Sequence, residues 1–266
     1  MNEKYIEKIP KWIFEGNNSN CNTCLSNDID SLASCSILKQ IKDWHIGYFY
    51  DFSTLFKTEN ALDKAVAVDI DIAKGKCLSN HVTNIYNENA VNFNVMEAIT
   101  QQNYLMKFCG STLIMLYWLF DIPLPSTEIG KMILLSIDTT FKGYFIELET
   151  IKQANFHYLV EIMQFDELYN LQAKHVKQNF FNLIDDYKLY EKIKCVNGKL
   201  QTKLDLNTIS KLLELDLKLP EDNFYEKYKF ENKYKSIFNN NLDLSEDVFS
   251  LALTSRDALC YSVRIQ

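Results

Sequence analysis

The sequence predicts an α/β fold: a mainly parallel sheet with flanking helices over the first half, followed by a largely helical second half with a small C-terminal β element. Three observations carry that reading. The run AVAVDIDI over 65–72 is dominated by Val and Ile, which suits a strand buried on both faces of a parallel sheet. The segment SLASCSILKQI over 31–41 spaces its apolar residues as a helix does, so strand-like and helix-like stretches alternate. From Asn94 onward the spacing turns helical almost throughout.

In chain order, 23–26 forms a short apolar segment, and Asp28 or Asp30 is placed to cap the helix that follows. HIGYFY over 45–50 is rich in strand formers and ends at Asp51, and KCLSNHV over 76–82 is a further short strand ending in Asn80 and His81. Helices are expected over 95–100, 104–120 and 127–138, the last opening on the start signal Pro125-Ser126-Thr127-Glu128. Residues 150–195 read as two or three polar-amphipathic helices. An Asn-Gly turn within 196–202 predicts a small hairpin, and 248–254 with 258–265 predicts a closing one. The organisation expected is a metal-binding α/β domain over 1–148 and a helical or α+β region over 149–266, with no linker marking the boundary.

The 266 residues include 17 Phe, 15 Tyr and 3 Trp, enough for a large core. A net charge of −7 argues against an extended face that tracks nucleic acid. The most apolar run, 113–124, contains Asp121 and Pro123 and is too short to span a bilayer, and no secretory pattern opens the chain. Seven scattered cysteines, an odd number, fit reduced thiols and a cytoplasmic setting. Cys21 and Cys24 form one CxxC without the second pair that a zinc site needs.

In an open parallel sheet, ligands collect outside the carboxyl ends of the strands. Here those ends carry Asp28 and Asp30, then Asp51, then Asp69 and Asp71, then Asn80 and His81. Each alone reads as a cap, a turn or a solvated loop. Together they crowd carboxylates into one crevice, which needs cations to be stable. Several Asp with one His suit Mn²⁺ or Mg²⁺ better than zinc. Two such ions can generate hydroxide and neutralise a phosphoryl transition state.

At these positions the chain resembles the DHH phosphoesterase superfamily. Asn27-Asp28-Ile29-Asp30-Ser31 looks like its first motif and Ala67-Val68-Asp69 like its second. Ser79-Asn80-His81 sits where the name-giving Asp-His-His falls, and Leu134-Leu135-Ser136-Ile137-Asp138-Thr139-Thr140-Phe141 is similar to the fourth motif. The resemblance covers about residues 20–145. It implies a centre of two Mn²⁺ (or Mg²⁺) ions and hydrolysis of phosphoester or phosphoanhydride bonds. Asp28, Asp30, Asp69 and Asp138 would be ligands, with Asp69 the bridge and Asp71 its alternative. His81 would be a ligand or the imidazole on the phosphate, with His81 or Asn80 holding a non-bridging oxygen in catalysis.

Arg256 and Lys74 are the candidate substrate contacts, against the plainer reading of a surface turn and a solvated loop; Arg264 and Lys76 stand beside them. His45, His157 and His175 read as structural or surface residues, and the aromatic residues of 144–235 as helix packing. The expected partner is a small phosphorylated substrate or short oligonucleotide, with no membrane, and a homo-oligomer is left open. The competing expectation is a binding or regulatory protein that keeps the sheet and acts through its helical C-terminal half. A weaker one is a helical assembly protein in which the acids are incidental.

Overall fold

The computed structural model describes residues 3–15, 21–237 and 247–265. After a short helix, α1 (Glu3–Ile6), the first strand β1 (Asn22–Leu25) is buried along its whole length. Its chain turns at Asp28 into α2 (Ile29–Lys42), where the Asp28 side chain accepts the N–H of Ser31 at 3.2 Å. The capping acid expected from the sequence is therefore in place. The hydroxyl of Ser31 ties the turn down: it accepts the N–H of Ser26 at 2.8 Å and donates to the carbonyl of Val68 at 2.7 Å.

β2 (His45–Tyr50) runs parallel to β1, and β3 (Thr54–Thr58) returns antiparallel to β2. The chain then crosses to the other side of β1, where β4 (Ala65–Val68), β5 (Cys77–Leu78) and β6 (Ala90–Val91) extend the sheet in parallel. β1 thus has β2 on one flank and β4 on the other, so the strand order reverses there. That is where open α/β sheets form a ligand crevice.

The strand expected over 65–72 stops at Val68, because Asp69 takes a left-handed backbone with φ of 57°. Alternation of faces holds only while the backbone is extended. Asp69 and Asp71 accordingly reach different partners, Asp69 the hydroxyls of Thr112 and Ser26 and Asp71 the side chains of His81 and Asn92. The helix expected over 104–120 divides at Gly110-Ser111 into a 3₁₀ turn at Tyr104–Met106 and α4 (Thr112–Leu119), which Ser111 caps. α3 (Phe93–Met96) is shorter than expected, and α5 (Glu128–Ser136) gives way to a 3₁₀ turn, Ile137–Thr139.

All eight residues of α4 are buried, as an apolar helix without a polar face must be. Around it the core continues through α6 (Lys142–Phe145), α7 (Glu149–Phe156), α8 (Asp166–Lys174) and α9 (Lys177–Asp186). A π-helical stretch, His157–Ile162, extends α7. The small hairpin is present as β7 (Lys194–Val196) and β8 (Lys199–Gln201), with Asn197 and Gly198 both at positive φ as a two-residue turn demands. α10 (Leu206–Leu213) follows and packs on α5.

The C-terminal β element is not small. β9 (Phe224–Ser236) spans 13 residues and pairs with β3, while β11 (Ala258–Arg264) joins β9 to β10 (Val248–Ser255). Among the described residues the result is one nine-stranded sheet ordered β10-β11-β9-β3-β2-β1-β4-β5-β6, which crosses the boundary expected at 148/149. β9 is rich in Lys and Glu, which are depleted in strands, so its charged solvent face hid it in the sequence. β10 folds back along the far end: Leu251 donates its N–H to the carbonyl of Asp71 at 2.9 Å, and Leu253 donates to Val82 at 2.8 Å. Among the described residues, no helix is long and apolar enough to cross a membrane.

Candidate functional site

The carboxyl ends of β1, β4 and β5 and the start of α4 meet in one place. Asp30, buried in the first turn of α2, accepts the backbone N–H of Thr112 at 2.8 Å and of Leu113 at 2.7 Å. The positive end of a helix dipole favours such a carboxylate. Asp69, buried at the end of β4, accepts the hydroxyl of Thr112 at 3.0 Å and that of Ser26 at 3.4 Å. Thr112 thus touches both acids.

Asp138 arrives from the turn after α5 with a φ of 53°, the second left-handed acid at the site. Asn80, at the end of β5, donates its amide to Asp138 at 2.7 Å and to the carbonyl of Gly110 at 2.8 Å. Asp and Asn tolerate this backbone region better than most residues, yet it carries strain and concentrates at functional sites. Asp28 completes the group, half-buried, with its free oxygen 3.1 Å from Lys192 Nζ.

These four acids act on one another. Burial pushes the Asp30 carboxyl well above its usual range, and the charges of Asp138 and Asp28 push it further. Asp69 is raised in the same way, by burial and then by Asp30, Asp28 and Asp138. Enclosure by the protein raises Asp138 too, against the pull of the His81 charge and with a push from Asp28. The Asp138 residue is nonetheless exposed at the surface, so solvent screens this shift.

His81 is held from behind. Its Nδ1 donates to Asp71 Oδ2 at 2.8 Å, and Asn92 holds the other Asp71 oxygen at 3.0 Å. Burial disfavours the charged imidazole, but the bond to Asp71 and the charges of Asp71 and Asp138 outweigh it and raise the pKa to about 9. Asp71, the alternative to Asp69 in the sequence reading, thus bonds His81 and Asn92, whereas Asp69 bonds Thr112 and Ser26.

Of the residues singled out in the sequence, Asp28, Asp30, Asp69, Asp138, Asn80 and His81 come together. Asp51 is absorbed in its own turn, where it accepts the N–H groups of Ser53 and Thr54. Lys74 is exposed in the β4–β5 connection and Arg256 in the β10–β11 turn, and no described contact brings either to the acids. His45, His157 and His175 pair with Asp43, Glu161 and Glu128 away from the site. All seven cysteines are free, and burial pushes the Cys24 thiol up, so it serves packing.

Sequence reasoning missed three groups. Thr112 could have been suspected from the Gly110-Ser111 cap signal. Lys192 and Lys107, whose charge acts on both Asp138 and His81, carry no local signal, because only the fold brings them near.

The donors fit a hard divalent cation in kind: carboxylate oxygens, plus Asn80 Oδ1, which is buried without a hydrogen-bond partner among the described residues. Among the described residues no three His, Cys, Asp or Glu side chains are drawn together closely enough to hold a metal ion as they stand. Asp30 spends both oxygens on backbone N–H groups, although a carboxylate keeps further lone pairs. Compared with known protein families, curated proteins and solved structures, the chain finds no match.

Proposed function

We propose that the chain is a divalent-metal-dependent phosphoesterase, using Mn²⁺ or Mg²⁺, that hydrolyses a phosphoester or phosphoanhydride bond in a small nucleotide or short oligonucleotide. The observation that carries this reading is the convergence of Asp28, Asp30, Asp69 and Asp138 with Asn80 and His81 at the sheet's switch point. The motif resemblance to the DHH phosphoesterases supports it, and the scattered free cysteines suit a cytoplasmic setting.

Asp28, Asp69 and Asp138 would hold the ions, with Asp30 anchoring α4 beneath them and Asn80 Oδ1 offering a neutral oxygen. When bound, the ions would supply an activated water and neutralise charge on phosphorus. The chain's own residues then do the positioning. His81, whose pKa the Asp71 bond raises, is suited to donate a hydrogen bond to a non-bridging phosphoryl oxygen from a ring fixed by Asp71. Both roles expected of His81, ligand or phosphate contact, would use the ring that Asp71 fixes. Lys107 and Lys192 offset the charge of an approaching anion at the rim.

The test is Asp69→Asn with thermal melting and hydrolysis. In the wild type, Mn²⁺ should raise the melting temperature, because a ligand bound only by the folded state stabilises it. In the variant that rise should vanish, together with turnover of p-nitrophenyl esters, dinucleotides and pyrophosphate. No response of the wild type to Mn²⁺ or Mg²⁺ would remove the metal reading.

A second reading, a binding or regulatory protein that keeps the sheet without turnover, is favoured by one arrangement. Asp30 is committed to the α4 backbone and Asp28 to Lys192. Bound metal with no hydrolysis of any of these substrates would support it.

A further inference from the structure

An irregularity in β9 gathers tyrosines and cations onto one side of the sheet. The pairing of β9 with β3 shifts register between Leu55 and Phe56: Tyr225 stands opposite Lys57 and Glu226 opposite Phe56, but Tyr228 stands opposite Leu55. Lys227 is therefore the extra residue of a bulge, a device that re-aims side chains. Strict alternation would send Tyr225 and Tyr228 to opposite sides. Across the bulge they share one, because directly opposed residues of paired strands lie on the same face. β3 carries the row on to β2, with Lys57 opposite Tyr48 and Leu55 opposite Tyr50.

The cations lie on that same face. Lys227 Nζ sits 5.1 Å from the centre of the Tyr48 ring and 5.3 Å from that of Tyr228. Arg264, at the end of β11, places its guanidinium carbon 3.4 Å from the centre of the Tyr228 ring, a stacking distance. Arg264 is exposed and Tyr225 is 53% exposed, while Tyr228, Lys227 and Lys57 are half-buried. By the same register Glu226 lies on the other side of the sheet, and it pairs with Lys229 at 3.5 Å. Burial and then the charge of Asp63 push the Tyr48 hydroxyl up, so Asp63 is an acid felt at this face, against three cations.

Flat rings interleaved with fixed cations are what a nucleic-acid single strand can use. Its bases stack on aromatic or guanidinium planes, and its phosphates follow the positive charge. Tyr225 offers a half-exposed ring, and two ladder steps away, about 7 Å, Tyr228 holds the Arg264 plane in place. A duplex, whose base faces are already stacked, could not reach these supports. In a chain of net charge −7, three cations on one face suit a few nucleotides and not an extended tract. Tyr225 and Tyr228, expected to pack helices, thus stand on the sheet instead.

We infer that this face, built from Tyr225, Tyr228, Lys57, Lys227 and Arg264, binds a short stretch of single-stranded nucleic acid. One base stacks on the Tyr225 ring and another on the Arg264–Tyr228 pair, and Lys57 and Lys227 take the phosphates between them. β9 stands three places from β1 in the sheet and the face includes none of the four acids, so the inference does not rest on the phosphoesterase reading. It assigns the chain a binding surface that works without metal.

Calorimetric titration with decathymidylate tests it, on the full chain in EDTA, against a decamer of the same sugar-phosphate backbone without bases. Two stacked bases should make decathymidylate bind at least about twentyfold more tightly than the base-free strand. Tyr225→Ala should cut that preference at least about fivefold, and Tyr225→Phe should keep it. An unchanged melting temperature would establish that both variants fold. The logarithm of the affinity should fall with the logarithm of salt concentration at a slope near about −2, and Lys227→Met should make it shallower by about 0.7. Equal affinity for the two strands, no binding of decathymidylate, a preference that survives Tyr225→Ala, or a slope indifferent to Lys227→Met overturns the face. Because EDTA removes hydrolysis and metal bridging, failure of the phosphoesterase reading would leave this result untouched, and failure here would leave that reading standing.

Discussion

Asp28 and Lys192 meet at 3.1 Å with the lysine half exposed, so their pairing adds at most about 1 kcal/mol to stability. Its larger consequence concerns cations. Lys192 occupies an oxygen that a divalent ion would need, so Lys192→Met should lower the Mn²⁺ concentration giving half-maximal thermal stabilisation several-fold; a higher requirement would contradict the competition. Asp71 sets a second expectation. Because its bond and charge hold His81 near pKa 9 against the cost of burial, Asp71→Asn should bring the imidazole down toward its ordinary value of about 6.5. NMR titration of the His81 ring reads this directly, and an unchanged pKa would leave Asp71 without a positioning role.

At the scale of the element, α4 is the hinge between core and site. Its body is buried on every side, while its first turn holds Asp30 through two N–H groups and Asp69 through the Thr112 hydroxyl. Ser111 caps that turn by accepting the N–H of Ile114 at 3.1 Å. Ser111→Ala should cost about 1 kcal/mol in denaturant unfolding. It should also weaken Mn²⁺ stabilisation, because the loosened turn positions two of the four acids. Loss of stability with metal response intact would mean that the cap serves the helix alone.

For the whole molecule, the raised carboxyls and the raised imidazole act in one direction. An acid whose folded pKa lies above its unfolded value destabilises the fold once both states are ionised, and this penalty is relieved as pH falls. A raised imidazole stabilises below about 6.5 and loses that contribution as pH climbs through about 9. Without divalent metal, the melting temperature should therefore rise on acidification from about pH 8 toward pH 5.5. Asp205, Glu214 and Asp216, lowered by surface hydrogen bonds, reverse the trend only nearer the ordinary carboxylate range. Saturating Mn²⁺ should flatten or invert the slope, since bound cations make ionised carboxylates the stabilising form. The same slope with and without Mn²⁺ would show that the acids do not share a cation.

Much of the site was legible because its chemistry sits at strand ends, and short Val- and Ile-rich runs mark those ends without reference to anything distant. Asp28, Asp30, Asp69, Asn80 and His81 could be named from local pattern, as could the capping of α2 and the Asn197-Gly198 turn, while Asp138 could be named only through the motif resemblance. The roles of Asp71, Lys107 and Lys192 could not. Asp69 leaves the extended region at φ 57°, which breaks the alternation from which the side of Asp71 would be read. Lys192 reaches Asp28 across 164 positions, and β9 finds β3 with its charged face outward. Local periodicity determined which segments are helices and where the acids lie. Which acid faces which base, and that the C-terminal strands complete the N-terminal sheet, was decided by long-range packing, where contact energy depends on neighbours that no local stretch contains.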